Sequence, residues 1–293
     1  MSVLTRISRS AAYRSSRLWR ALLHALPAPR LRARPELPLT FVTFGGSGHR
    51  LMIAQTLFSL GRSWPALPRV RVVSDGSLDP VADRATLGWW PGDLEVLSWR
   101  DLVPGLLARG HHDLVRFAER DAMGKKMAAV VAHAAEGPTL YCDCDVLWFR
   151  LPDRLDSLLR MPAPCLVMSE DYLATYDPAL VPSRLPELAT PPYYCAGLLY
   201  AHGDLLAGRG LEPLLAEAAE RGIGVTEQTL LAAADRRLGG AVWPRTEIAL
   251  FEDDRFSLGP SYPRRGWAAR HYVGQVRHLF WRDALGLRAG VRP

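Results

Sequence analysis

The chain has 293 residues, 48% of them hydrophobic and 23% charged, enough to bury a full core in one large domain or two small ones. No run of about 20 apolar residues is present to span a bilayer. The four cysteines, Cys142, Cys144, Cys165 and Cys195, have neither zinc-ligand spacing nor the density of a disulfide framework, and read as small buried thiols of a reducing compartment.

The net charge of +6 belongs to a tail: residues 1–38 hold eight arginines against Glu36, a net of +7, which leaves the rest of the chain at −1. No nucleic-acid partner is implied for the main domain. Residues 3–26 wind into a helix with Leu4, Ile7, Ala11, Leu18, Trp19, Leu22 and Leu26 on one side. Arg6, Arg9, Arg17 and Arg20 gather on the other. This is the basic amphipathic pattern of a segment lying on an anionic membrane surface, with docking on the protein's own domain as the alternative. It lacks the compact apolar core and cleavage site of a secretory signal. Pro27-Ala28-Pro29 ends the helix, and a linker runs to Pro38. The expected organisation is therefore a helix and linker over residues 1–38 and a single domain over 39–293.

That domain opens with a strand, Leu39-Thr40-Phe41-Val42-Thr43-Phe44, then Gly45-Gly46-Ser47-Gly48 and a helix over 49–60. Strand, glycine-rich turn and helix form the start of a nucleotide-binding unit, because exposed backbone N–H groups can approach phosphate or base. The turn is neither a phosphate loop nor a complete dinucleotide fingerprint. A second strand over 70–74 ends at Asp75-Gly76, where the acid is placed either for ribose or base or for turn chemistry. Residues 77–118 carry a strand at 94–97 and no assignable function. A helix over 121–135 has Lys125 and Lys126 near its start, placed either to neutralise a diphosphate or on a solvated face.

Next comes Thr139-Leu140-Tyr141-Cys142-Asp143-Cys144-Asp145-Val146-Leu147-Trp148-Phe149, two carboxylates inside an apolar run. Charges there are costly to desolvate unless a cation compensates them, and carboxylate oxygen favours a hard divalent metal. Leu151-Pro152-Asp153 is expected to cap a helix to about residue 160, with a strand at 164–168 after it. Residues 193–200 form a strand entered through Cys195, Ala196 and Gly197, small residues that let a ligand approach the backbone. A helix is expected over 204–221, and Thr226 caps another that begins with Glu227 and Gln228. Short strands follow near Trp243 and at 247–250. His271-Tyr272-Val273-Gly274-Gln275-Val276-Arg277 places a histidine, a glycine and a base at regular spacing, suited to close a metal–phosphate site. Alternating strands and helices predict an α/β fold with a largely parallel sheet.

Over roughly residues 39–282 this order resembles the nucleotide-sugar glycosyltransferases of the GT-A fold, most closely the family 8 type. The resemblance implies a mixed, largely parallel Rossmann-like sheet flanked by helices. It implies Mn²⁺ or Mg²⁺ held by Asp143, Asp145 and His271, and a donor site including Phe44, Gly45, Asp75, Lys125, Lys126, Asp143, Cys144, Cys195, Ala196, Gly197, Gly274 and Arg277. Gln228 matches a glutamine near the reacting carbon, and Glu227 stands where the family usually has aspartate. The implied activity is transfer of a sugar, with UDP-sugar as donor and retained configuration, to a glycan or glycolipid in cell-surface polysaccharide synthesis. The cysteines point to a cytoplasmic location, and the basic tail offers peripheral attachment to the inner face of the plasma membrane or docking on its own domain.

Two positions depart from the family: Cys195 replaces an asparagine that meets a sugar hydroxyl, and Thr229 replaces an acid. Arg277 for lysine keeps the charge in a planar fork suited to phosphate. Two other readings stand beside this one. A haloacid-dehalogenase-type phosphatase would use Asp143 as nucleophile, but its motif normally opens the domain and carries a glycine missing here. The other is a catalytically inactive scaffold that binds nucleotide or membrane.

Overall fold

The computed structural model describes residues 3–221, 224–250, 259–262 and 265–292, with residues 3–9 and 275 described by backbone alone. Helix α1 (Val3–Ala25) precedes β1 (Glu36–Gly45). α2 (Arg50–Ser63) leads to β2 (Leu67–Ser74), and α3 (Pro80–Thr86) to β3 (Leu94–Ser98). α4 (Val103–Ala108), α5 (His112–Arg120) and α6 (Ala122–Glu136) follow. Then come β4 (Thr139–Cys142), β5 (Val146–Trp148), α7 (Leu155–Leu159), β6 (Cys165–Asp171) and β7 (Tyr193–His202). The chain closes with α8 (Glu212–Arg221), α9 (Thr226–Arg237), β8 (Ala241–Trp243), β9 (Ile248–Leu250), β10 (Ala269–His271) and α10 (Arg277–Arg288).

Seven strands form the central sheet in the order β3-β2-β1-β4-β7-β6-β8. β3, β2, β1 and β4 run parallel, β7 is antiparallel to both its neighbours, and β6 pairs parallel with β8. The sheet is the mixed, largely parallel one expected. Helices cover both faces, so β4 and the second half of β1 are buried on both sides, whereas β2 alternates buried Val70 and Val72 with Arg69 and Arg71. One core packs α2 and α10 against the sheet through Leu57, Leu60, Trp148 and Phe280; the other packs α6 and α9 through Met127, Val131, Leu230 and Ala233.

A second sheet of three strands, β5-β10-β9, lies beside the first. Asp143-Cys144-Asp145 is the link between β4 of the large sheet and β5 of the small one. The acidic pair therefore stands where the chain leaves one sheet for another, at the carboxyl end of a central strand, where α/β sheets bind ligands.

Several local expectations fail for identifiable reasons. The helix expected from residue 204 begins only at Glu212, because Gly208 and Gly210 take left-handed φ of 68° and 61° and break the path. Asp153 does not cap α7: its carboxylate pairs with Arg150, and no side chain caps that helix. Thr226 does not cap α9 either; its hydroxyl donates to the buried Asp177 at 2.8 Å. β1 begins at Glu36, inside the stretch expected as linker.

Helix α1 lies on α10. Ala12, Trp19 and Leu23 are buried against the core, whereas Leu18, Leu22 and Leu26 are exposed. Trp19 thus leaves the apolar side assigned to it from the sequence and joins the packed one. The Leu4, Arg6, Ile7 and Arg9 side chains lie outside the described residues. Among the described residues no helix is long and apolar enough to cross a membrane.

Candidate metal and donor site

Backbone pairing brings the late histidine to the acidic link. β10 runs antiparallel to β5 with His271 opposite Val146, and the Tyr272 amide donates to the Asp145 carbonyl at 2.9 Å. Nε2 of His271 consequently lies 3.1 Å from Oδ1 of Asp145 and 3.7 Å from Oδ2 of Asp143. Asp143, Asp145 and His271 form the one trio of candidate ligands found among the described residues, with ligand atoms within 4.8 Å of one another. Nε2 is buried and makes no hydrogen bond. Two carboxylates and an imidazole nitrogen turned toward them are a donor set that fits Mn²⁺ or Mg²⁺.

Each ligand is held from behind. Nδ1 of His271 meets Sγ of Cys195 at 3.4 Å, which leaves Nε2 facing the carboxylates. The Asp143 amide donates to the Gly197 carbonyl at 2.8 Å, and Oδ1 accepts from the Tyr141 hydroxyl at 2.6 Å. Asp145 takes Nε of Arg277 at 2.9 Å on Oδ2. Burial would raise the Asp145 pKa, but His271 and Arg277 hold it well below the carboxylate range. Burial alone would lower the His271 pKa; the Asp145 carboxylate raises it well above the usual value.

The small residues of β7 act differently from the reading of their sequence. A Cβ on Gly197 would overlap the His271 imidazole, so the space beside this strand is filled by the histidine. The Ala196 amide donates to Oε1 of Gln228 at 3.1 Å, while Nε2 of Gln228 donates to the Thr175 carbonyl at 2.8 Å. Gln228 therefore bridges β7 and the loop that follows β6.

Lys126 is buried and lies 3.1 Å from Oδ1 of Asp143 and 3.4 Å from Oε1 of Glu227. Burial opposes its charge, but Asp143 and Glu227 outweigh burial and raise its pKa. Burial pushes Glu227 up to about 7 despite Lys126, because that one ammonium is shared with Asp143. Lys125 instead donates to the Asp75 carbonyl at 2.9 Å. The glycine turn meets the same segment: Asp75 N donates to Gly45 O at 3.2 Å, and a Cβ on Gly46 would overlap the Asp75 carboxylate. Phe44 and Gly45 are buried at this end of β1.

Cys144 turns its thiol into the apolar core, and its carbonyl accepts from Thr56 at 2.7 Å, so only its backbone faces the acidic turn. Gly274 takes a left-handed φ of 56° at the turn that delivers Arg277 to the start of α10. Sequence reasoning missed Tyr141, although period-two alternation places it on the same face as Asp143. It also missed Asp177, which accepts from Thr226 and, at 2.7 Å, from Arg221, and so anchors the start of α9 under Glu227 and Gln228. No spacing signals that contact.

No protein-family model matches the sequence, and no curated protein matches it. Solved structures match the fold. An active-site mutant of LgtC superposes with a TM-score of 0.50 at 14% identity, over 80% of this chain and 87% of that one. Mouse xyloside xylosyltransferase 1 in apo form gives 0.52 at 12% identity, over 82% and 99%. The bifunctional glycosyltransferase WbbM gives 0.53 at 11% identity, over 92% of this chain and 51% of that one, so this chain spans about half of WbbM.

The fold is GT-A. The acidic link lies at the carboxyl end of β4 in that fold, the glycine turn and Asp75 follow β1 and β2, and the two lysines lie on α6.

Proposed function

We propose that this protein is a metal-dependent glycosyltransferase that moves a sugar from a nucleotide-diphosphate sugar to a glycan or glycolipid acceptor. The observation that carries this reading is the convergence of Asp143, Asp145 and His271 at the Asp-x-Asp position of a GT-A fold. These three residues would hold Mn²⁺ or Mg²⁺, which when bound supplies Lewis-acid stabilisation of a departing diphosphate. The turn at Gly45, the neighbouring Asp75 and the backbone of Cys144 would receive the nucleoside. Arg277 places Nε and one terminal nitrogen on Asp145, and its half-exposed guanidinium has further donors that would meet phosphate.

In this reading Lys126, Glu227 and Gln228 would lie on the sugar side, with Cys195, Ala196 and Gly197 next to them. Gln228 has both ends of its amide tied to backbone, so it is a rigid dipole, preorganised in the way that stabilises developing charge. In the family 8 reading the donor is a UDP-sugar, a hexose is transferred with retention, and the acceptor belongs to cell-surface polysaccharide synthesis. Four buried free thiols support a reducing, cytoplasmic location, and the arginine-rich helix α1 supports placement on the inner face of the plasma membrane. The phosphatase alternative gains nothing from the site, since the Asp143 carboxylate is engaged by Tyr141 and Lys126.

The test is a thermal-shift screen of nucleoside diphosphates and their sugars with and without Mn²⁺, followed by hydrolysis of the best nucleotide sugar. A Mn²⁺-dependent shift and turnover, both abolished by Asp145→Ala, are expected. Turnover unchanged in Asp145→Ala would sink the metal assignment. Metal-driven hydrolysis of simple phosphate esters, leaving phosphate on Asp143, would instead establish the phosphatase.

A further inference from the structure

Three contacts fix how α1 lies on α10. The Tyr13 ring meets His278 with centroids 6.2 Å apart, the Arg20 guanidinium sits 5.3 Å from the Trp281 ring centroid, and the Pro27 carbonyl accepts from Arg288. The paired numbers rise together, so the two helices run parallel. α10 begins at Arg277, which bonds Asp145 in the candidate metal site. The amino-terminal end of α1 therefore lies at the same end of the molecule as that site. Residues 3–12 precede the Tyr13 contact, and at 1.5 Å per residue they extend the helix about 15 Å beyond it.

The docked stripe uses Ala12, Trp19 and Leu23. A second apolar line remains uncovered: Leu18, Leu22 and Leu26 are 61%, 45% and 38% exposed. Their spacing of four places them along one side of the helix. Arg14 and Arg17 are exposed next to this line, and Arg30 and Arg32 are exposed just beyond the helix. The first acidic residue of the chain is Glu36. An apolar line bordered by cations and free of acids complements a bilayer with anionic headgroups: the leucines enter the acyl boundary and the guanidinium groups meet phosphate.

We propose that the Leu18-Leu22-Leu26 line with Arg14 and Arg17 is a docking surface for an anionic lipid bilayer, and that parallel packing on α10 holds the side of the protein that carries α10 at that surface. Two faces of one helix thus do different work: one is bound to the domain, the other to lipid. In the glycosyltransferase reading, on which this consequence rests, the acceptor is carried by the bilayer and meets the site at the membrane.

The test uses the full chain and co-flotation with phosphatidylcholine vesicles, with and without phosphatidylglycerol. Binding is expected only with phosphatidylglycerol and should weaken as salt is raised. Leu18→Ser/Leu22→Ser and, separately, Arg14→Gln/Arg17→Gln should each reduce the partition coefficient about tenfold or more. All four side chains are exposed, so thermal unfolding of both variants should match the parent. Equal binding of the parent to both vesicle types, or unchanged binding of the leucine variant, overturns the proposal. A lipid-free dimer that the leucine variant dissociates also overturns it, by assigning the line to a second copy. Nucleoside-diphosphate binding with Mn²⁺ in solution reads the glycosyltransferase proposal alone, since neither variant touches that site.

Discussion

Sγ of Cys195 lies 3.4 Å from Nδ1 of His271, inside the buried site. The thiol engages the ring nitrogen that faces away from the carboxylates, and so sets the orientation in which Nε2 is available as a ligand. Cys195→Ala removes that partner and should weaken Mn²⁺ binding about tenfold, the lower end for loss of a supporting contact behind a ligand. Cys195→Ser should stay closer to the parent. Isothermal titration calorimetry with Mn²⁺ alone checks both, independently of turnover.

Lys126 shares one buried charge between Asp143 and Glu227. Lys126→Met leaves both carboxylates without it, and breaking such a buried pair costs about 3–5 kcal/mol. The lower figure is expected, because Glu227, already at about 7, can take up a proton. Glu227→Gln leaves Lys126 with Asp143 and should cost much less. Urea denaturation at neutral pH gives both values.

Gly197→Ala tests how tightly the histidine is seated. The added methyl would overlap the His271 ring, so either the ring or β7 must move. A loss of about 1–3 kcal/mol is expected from overpacking, together with loss of Mn²⁺ binding while far-UV circular dichroism is retained. A variant that binds Mn²⁺ like the parent would show that His271 is no ligand.

Asp235 on α9 is fully buried, with Oδ2 accepting from the Met168 amide at 2.9 Å and Oδ1 unpartnered. Burial pushes it up to about 8 from an ordinary 3.8, against the opposing Met168 amide and Arg236. Between those values the folded state holds a proton that the unfolded chain has released. Stability should therefore fall as pH rises across this window, by up to about 1.4 kcal/mol per unit, and level off above it. Asp235→Asn keeps the acceptor and cannot ionise, so it should remove that slope. Chemical denaturation at several pH values across the window decides it.

The regular strands of the sheet were legible because they are largely apolar and bounded by glycine, proline or polar turns. The metal trio was legible from residue type: carboxylates in an apolar run and a histidine–glycine–arginine spacing are costly without a ligand. The caps at Asp153 and Thr226 were misread, because their oxygens have competing partners, Arg150 three residues away and Asp177 far along the chain. The contacts of Gly197 and Cys195 were not legible. Both answer to His271, a neighbour that local spacing cannot reveal.

The sequence by itself determined that two carboxylates, Asp143 and Asp145, interrupt an apolar run, that the sheet is largely parallel and that the tail is basic, since charge, apolar run length and composition are local properties. Only the tertiary structure decided how the trio is brought together, how one lysine divides between two acids and which stripe of α1 packs on the domain. Those outcomes depend on the pairing of β5 with β10 and the packing of α1 on α10. Such contacts join distant parts of the chain and are selected by how the whole core closes, and no window of sequence contains that information.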